Sequence, residues 1–157
     1  MGKIKIGGII QNPRLSALSI LGVADRPGIA AEVLNALGER HISIQFIAQL
    51  IDSQRQDHLC LCISREELRA GLPLAQAAAQ RVGASAVEYI EQASLISIFG
   101  PDFRERPGIA GAMFSALAAR NINILAISTS ISTVSCVIEA RHTTSAVEAL
   151  HQTFDLP

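Results

Sequence analysis

At 157 residues, with 49% hydrophobic side chains and a formal net charge of −1, the chain is too apolar for disorder and long enough for one large or two small folded units. It has no basic stripe of the kind nucleic-acid binding requires, and no apolar run reaches the ~18 residues of a membrane-spanning helix. Met1-Gly2-Lys3-Ile4 has neither a secretory nor a myristoylation layout. Cys60, Cys62 and Cys136 are odd in number and lie in apolar runs, so reduced thiols in a cytoplasmic protein are expected.

Residues 4–10 read as a short β run ended by Asn12-Pro13, and residues 15–23 as a second. Asp25-Arg26-Pro27-Gly28 predicts a helix start, with Pro27 at the first helical position and Asp25 or Arg26 at the cap. Ile29, Val33, Leu34 and Leu37 then share one helix face up to residues 40–41. Residues 42–51 and 58–63 read as strands around a polar turn. Ser64 and Glu67 have capping-box spacing for a second helix, which Gly83 breaks, and residues 86–90 form a fourth strand. The order β-α-β-β-α-β is ferredoxin-like. It then recurs as a strand at 95–99, a helix at 107–120, strands at 122–130 and 134–140, and a helix at 143–154 capped by Thr143 or Thr144.

The recurrence extends to residue identity. Arg26-Pro27-Gly28-Ile29-Ala30 returns as Arg106-Pro107-Gly108-Ile109-Ala110, and Ala36-Leu37, Arg40, Ile42, Ile44 and Ile47 return as Ala116-Leu117, Arg120, Ile122, Ile124 and Ile127. Two α+β units follow, 14–91 and 92–157. The second has no closing strand, whereas residues 4–11 belong to no helix of their own. An open sheet edge is prone to unwanted pairing. The N-terminal strand is therefore expected to complete the second sheet, with the first unit inserted in the second.

The Pro-Gly helix openings are the leading site candidates. First-turn N–H groups lack intrahelical acceptors and carry a partial positive charge, so they attract carboxylates. Gly28 leaves the N–H groups of Gly28, Ile29 and Ala30 open to approach, and Asp25 offers a charge for an ammonium. A purely structural cap remains the alternative. Asn121-Ile122-Asn123-Ile124 is the second candidate, two amides on one strand face with the isoleucines on the other. His41 and Ser43 hold those places in the first half, so one composite site is expected rather than two equal ones. Ser128-Thr129-Ser130 lacks a base at suggestive spacing. The four histidines show no metal-ligand spacing, and neither phosphate-loop motif occurs. No complete catalytic constellation is present.

Asp25-Arg26-Pro27-Gly28-Ile29-Ala30 resembles the helix opening of ACT domains, the amino-acid-sensing regulatory modules. With the tandem spacing, Asn121-Ile122-Asn123-Ile124, Ile127-Ser128-Thr129-Ser130 and the tail 149–154, the chain resembles the regulatory region of aspartate kinase from about residue 6 to 156. The resemblance implies the same insertion of the first unit in the second, and a homodimer formed through the ACT units. It also implies threonine or lysine as effector, no cofactor, and control of a kinase catalytic part. The matching effector positions are Asp25, Gly28, Ile29, Ala30, Gln49, Asn121, Asn123 and Ile124. The place after Ser130, acidic in the family, is Ile131. No Lys-Phe-Gly-Gly-like opening occurs, so the chain is not expected to phosphorylate aspartate by itself. A stand-alone divergent ACT sensor, a ligand-free dimerisation module and a small acylphosphatase-like hydrolase are the other classes this fold could serve.

Overall fold

The computed structural model describes residues 2–101 and 103–157, which form two units. The first, Arg14–Gln92, is continuous in sequence. It takes the latter part of β2 (Gly8–Ala24), then α1 (Ile29–Gly38), β3 (Phe46–Ile51) and β4 (Gln56–Ser64). A 3-10 turn, Arg65–Glu67, leads into α2 (Leu68–Val82), and the early part of β5 (Ala86–Phe99) closes the unit. Within it the strands lie in the order β3-β4-β2-β5. Strand β4 pairs antiparallel with both neighbours, placing Leu18 opposite Leu61 and Gln49 opposite Leu59. Alternation sends Leu18, Ile20, Leu59, Leu61 and Ile63 to one face. There they meet Ile29, Val33 and Leu37 of α1 and Ala75, Ala78 and Ala79 of α2. Each large side chain so buried contributes roughly 1.5–3 kcal/mol.

The second unit is built from residues up to Pro13 together with Ala93–Pro157. It contains β1 (Ile4–Lys5), the first part of β2, the latter part of β5 and α3 (Ile109–Ala119). These are followed by β6 (Ala126–Thr129), β7 (Thr133–Glu139), a 3-10 turn at Ala140–His142, α4 (Thr143–Thr153) and β8 (Phe154–Asp155). Its larger sheet runs β2-β5-β7-β6, and β1 pairs parallel with β8, Ile4 opposite Phe154. Ile6 donates its N–H to the Asp155 carbonyl at 2.9 Å and buries its side chain with Ile96, Ile98, Met113, Leu117 and Phe154. The N-terminal segment thus completes the second unit, and the first unit is inserted within it.

Four local expectations are corrected. The strand does not stop at Asn12-Pro13: β2 runs through it, because proline removes one donor but its fixed φ is compatible with extended chain. Residues 86–90 and 95–99 likewise belong to one strand. Residues 42–45 and 122–125 are not strand. Ile42 and Ile122 instead donate their N–H groups back to Leu37 and Leu117, closing the preceding helices. The expected side-chain caps do not form either. Gly28 and Gly108 hold the N-cap positions of α1 and α3, and neither Ser64 nor Thr144 caps its helix. Thr143 bonds the Ala140 carbonyl at 2.6 Å instead. Among the described residues, no helix is long and apolar enough to cross a membrane.

Candidate functional site

In the first unit the site grows from the end of β2 and the turn between β3 and β4. Asp52 organises that turn. One carboxylate oxygen accepts the N–H groups of Gln54 (2.8 Å) and Gln56 (3.0 Å), and the other meets His58 Nε2 at 2.8 Å. The His58 contact, then the Gln56 N–H, hold the Asp52 carboxyl below its ordinary range. On the far side of its ring, His58 Nδ1 accepts the Gly22 N–H at 3.2 Å, which leaves Nε2 to carry the proton toward Asp52. Gly22, at φ 69°, lies within the register shift between Ile20 and Val23, where β2 bends away from β4.

Arg55, at φ 61°, is tied to the start of the loop. Its carbonyl accepts the Asp25 N–H at 3.0 Å, and its guanidinium donates to Asp25 Oδ2, also at 3.0 Å. Asp25 is therefore not a helix cap. Its side chain, 22% exposed, is held over the loop by a far more exposed arginine. Pro27 lies in the turn before the helix, not at its first position. Gly28 follows at φ 97°, ψ −7°, a left-handed conformation that residues with a Cβ adopt at a cost. A Cβ added there would meet nothing within 4 Å, so Gly28 itself borders open space. The Ile29 side chain is buried in the core and Ala30 is half-buried, leaving main-chain N–H groups as what this turn presents.

Asp57 is the residue that sequence reasoning missed. It lies on β4, opposite Val23 of β2 and Ile51 of β3, and is only 2% exposed. Its carboxyl faces the side chains of Asp25 and Gln49, and burial, then the Asp25 charge, push it above the ordinary aspartate range. Its Oδ1 has no hydrogen-bond partner among the described residues. The signal was present in the sequence. Asp57, Leu59, Leu61 and Ile63 share one strand face, and an acid in that inward row is anomalous. Of the expected effector residues, Asp25 and Gln49 thus share one cluster, and Gly28–Ala30 follow directly along the chain.

The remaining expected residues belong to the second unit. Asn121 is not on a strand face. It occupies the left-handed region at φ 56° and donates its N–H to Ala118 at 2.9 Å, the helix-ending role that asparagine tolerates well. His41 plays the same part after α1, at φ 61°. Asn123 is exposed, whereas Ile124 is half-buried against the core of its unit. Gly108 repeats the conformation of Gly28 at φ 89°, but Glu105 stands where the first unit has Asp25. Cys60, Cys62 and Cys136 are free thiols, and no grouping of three or more metal-type ligands occurs among the described residues.

Both units match ACT domain models, over residues 16–67 and 96–154. The chain belongs to the ACT-domain family, in the tandem arrangement of the aspartate kinase regulatory region. It is 36% identical over 151 residues to an aspartate kinase of Pseudomonas fluorescens, an alignment that covers 96% of this chain and 37% of that enzyme. The chain therefore spans little more than a third of that relative. Its fold is similar to the ligand-free regulatory subunit of aspartate kinase from Thermus thermophilus, with TM-score 0.86 and 26% identity over 96% of this chain and 99% of that one. It is also similar to aspartate kinase from Synechocystis, with TM-score 0.91 and 27% identity over 99% of this chain and 28% of that one.

Proposed function

We propose that this chain is the amino-acid-sensing regulatory part of an aspartate kinase, acting by feedback on the synthesis of aspartate-derived amino acids in the cytoplasm. The observation that carries the reading is the left-handed, solvent-bordering Gly28 at the start of α1, three residues from the anchored Asp25. A zwitterion needs N–H donors for its carboxylate and an anion for its ammonium, and this loop offers both within a few residues. In the proposal, the N–H groups of Gly28, Ile29 and Ala30 receive the carboxylate of threonine or lysine. Asp25 and Gln49 meet its ammonium, and no further cofactor takes part. On the family resemblance, Asn121, Asn123 and Ile124 of the second unit are further effector positions in this proposal.

Binding can regulate only if the effector has different affinity for two arrangements of the protein. The proposal therefore includes a kinase catalytic part as the responding partner and a homodimer of this chain. Pairing of chains is supported by apolar side chains on the sheet-edge strands: Ile47, Leu50 and Ile51 on β3, with Leu50 65% exposed, and Ile127 on β6. Thermal-shift titration with each of the twenty amino acids tests the reading. Threonine or lysine is expected to raise the melting temperature at millimolar concentration, and Asp25→Ala to abolish the rise. A flat response to all twenty would refute it and leave the dimerisation module as the better description.

A further inference from the structure

We propose that Asp57 is a second, buried carboxyl of the effector's ammonium subsite, lying behind Asp25, and that effector binding expels a proton from this pair. The inference rests on the effector reading above and adds to it a residue and a linkage. Three observations carry it. Asp57 is 2% exposed, its Oδ1 has no hydrogen-bond partner among the described residues, and its carboxyl faces Asp25 and Gln49, both already assigned to the effector. A buried carboxylate oxygen without a donor is costly, and a carboxylate beside a second carboxylate costs more. In the unliganded protein the pair is relieved by retaining one proton.

The surrounding groups relieve the pair only in part: the Gln49 amide and the His58 ring favour the ionised Asp57, but burial and the Asp25 charge outweigh them. Arg55 is engaged with Oδ2 of Asp25. His58, next to Asp57 on β4, is turned between Asp52 and the Gly22 N–H, and Asp52 is saturated by His58 and two backbone donors. Glu32, in the first turn of α1, is paired with Arg81 at 2.6 Å. Gln49 is neutral and accepts or donates as required. An ammonium placed at Asp25 brings a positive charge and three N–H donors to the pair. Asp57 then ionises, and its proton leaves to solvent. Affinity consequently rises with pH while Asp57 is still protonated in the free protein, and levels off once it is not.

Calorimetric titration of the whole chain with L-threonine and with L-lysine, between pH 4 and 8 in buffers of unequal ionisation enthalpy, reads this linkage. Wild type is expected to release a proton at the acidic end and to bind more tightly as pH rises. Asp57→Asn keeps the shape, and is expected to bind at least about tenfold more weakly at pH 8 and to release no proton. Carbon-13 carboxyl titration of the unliganded chain provides a measurement independent of the effector. Asp57 should titrate above the ordinary aspartate range and fall part of the way back in Asp25→Asn. Wild-type affinity and proton release in Asp57→Asn, or an ordinary Asp57 titration, overturn this inference alone. A wild-type chain that binds neither amino acid overturns the effector reading, and this one with it.

Discussion

Gly28 is positioned by conformation rather than by space. At φ 97°, with nothing within 4 Å of an added Cβ, Gly28→Ala should cost about 1–2 kcal/mol through backbone strain alone, read as a lowered urea midpoint with unchanged slope. Asp57 gives a pH signature of opposite sign to an aspartate held by ion pairs or hydrogen bonds. Its carboxyl titrates higher folded than unfolded, so its contribution is fully present below the unfolded value and is lost as pH rises through the folded one. Melting curves across that range should show stability falling with pH, and Asp57→Asn should remove this component. Asp52 works the other way: its depressed carboxyl supports the fold at higher pH and lets go as pH falls through its own value. The thiols offer a separate check. Burial raises all three thiols, Cys62 and Cys136 up to about 12, so alkylation of the native chain at pH 8 should be slow and confined largely to Cys60, the one that is only half-buried.

Helices and strands are legible in the sequence to different degrees. The inner faces of α1 and α3 follow the apolar spacing, with Val33, Leu37, Met113 and Leu117 all fully buried. Met113→Ala or Leu117→Ala should therefore cost about 2–5 kcal/mol in equilibrium unfolding. The caps are not legible, because proline and aspartate are favourable at a helix start in general. Here a left-handed glycine makes the turn and frees Asp25 for Arg55. The lengths of β2 and β5 are not legible either, because proline and polar residues mark most strand ends but do not force them. The candidate site is half legible. Asp25 and Gly28 stand in one local motif, whereas Asp57 joins them only through pairing of β4 with its neighbours, a relation that adjacency in sequence does not carry. Asn121 reads as a strand residue because isoleucine alternates around it; its left-handed φ shows that the helix end dictates its conformation.

The molecule's two units differ in how they are held in sequence: the first is continuous, the second assembled from two segments. Removing residues 1–7 would strip β8 of its partner and take Ile6 from the second core, at a cost of roughly 3 kcal/mol. Hydrogen exchange should then quicken across 93–157, and residues 14–92 should keep their protection. Exchange that quickened equally in both units would show that the two do not unfold separately. Pairing of Ile4 with Phe154 also carries a consequence for synthesis. The ribosome delivers the first of these strands before the entire inserted unit and the second after it, so Ile4–Lys5 must wait unpartnered while that whole unit is made. The inserted unit can close its own core while the chain is still being made, but the unit that surrounds it in sequence can be finished only after Phe154 emerges. Shortage of a chaperone during translation should therefore leave nascent chains protease-resistant in 14–92 and cleavable on either side of it.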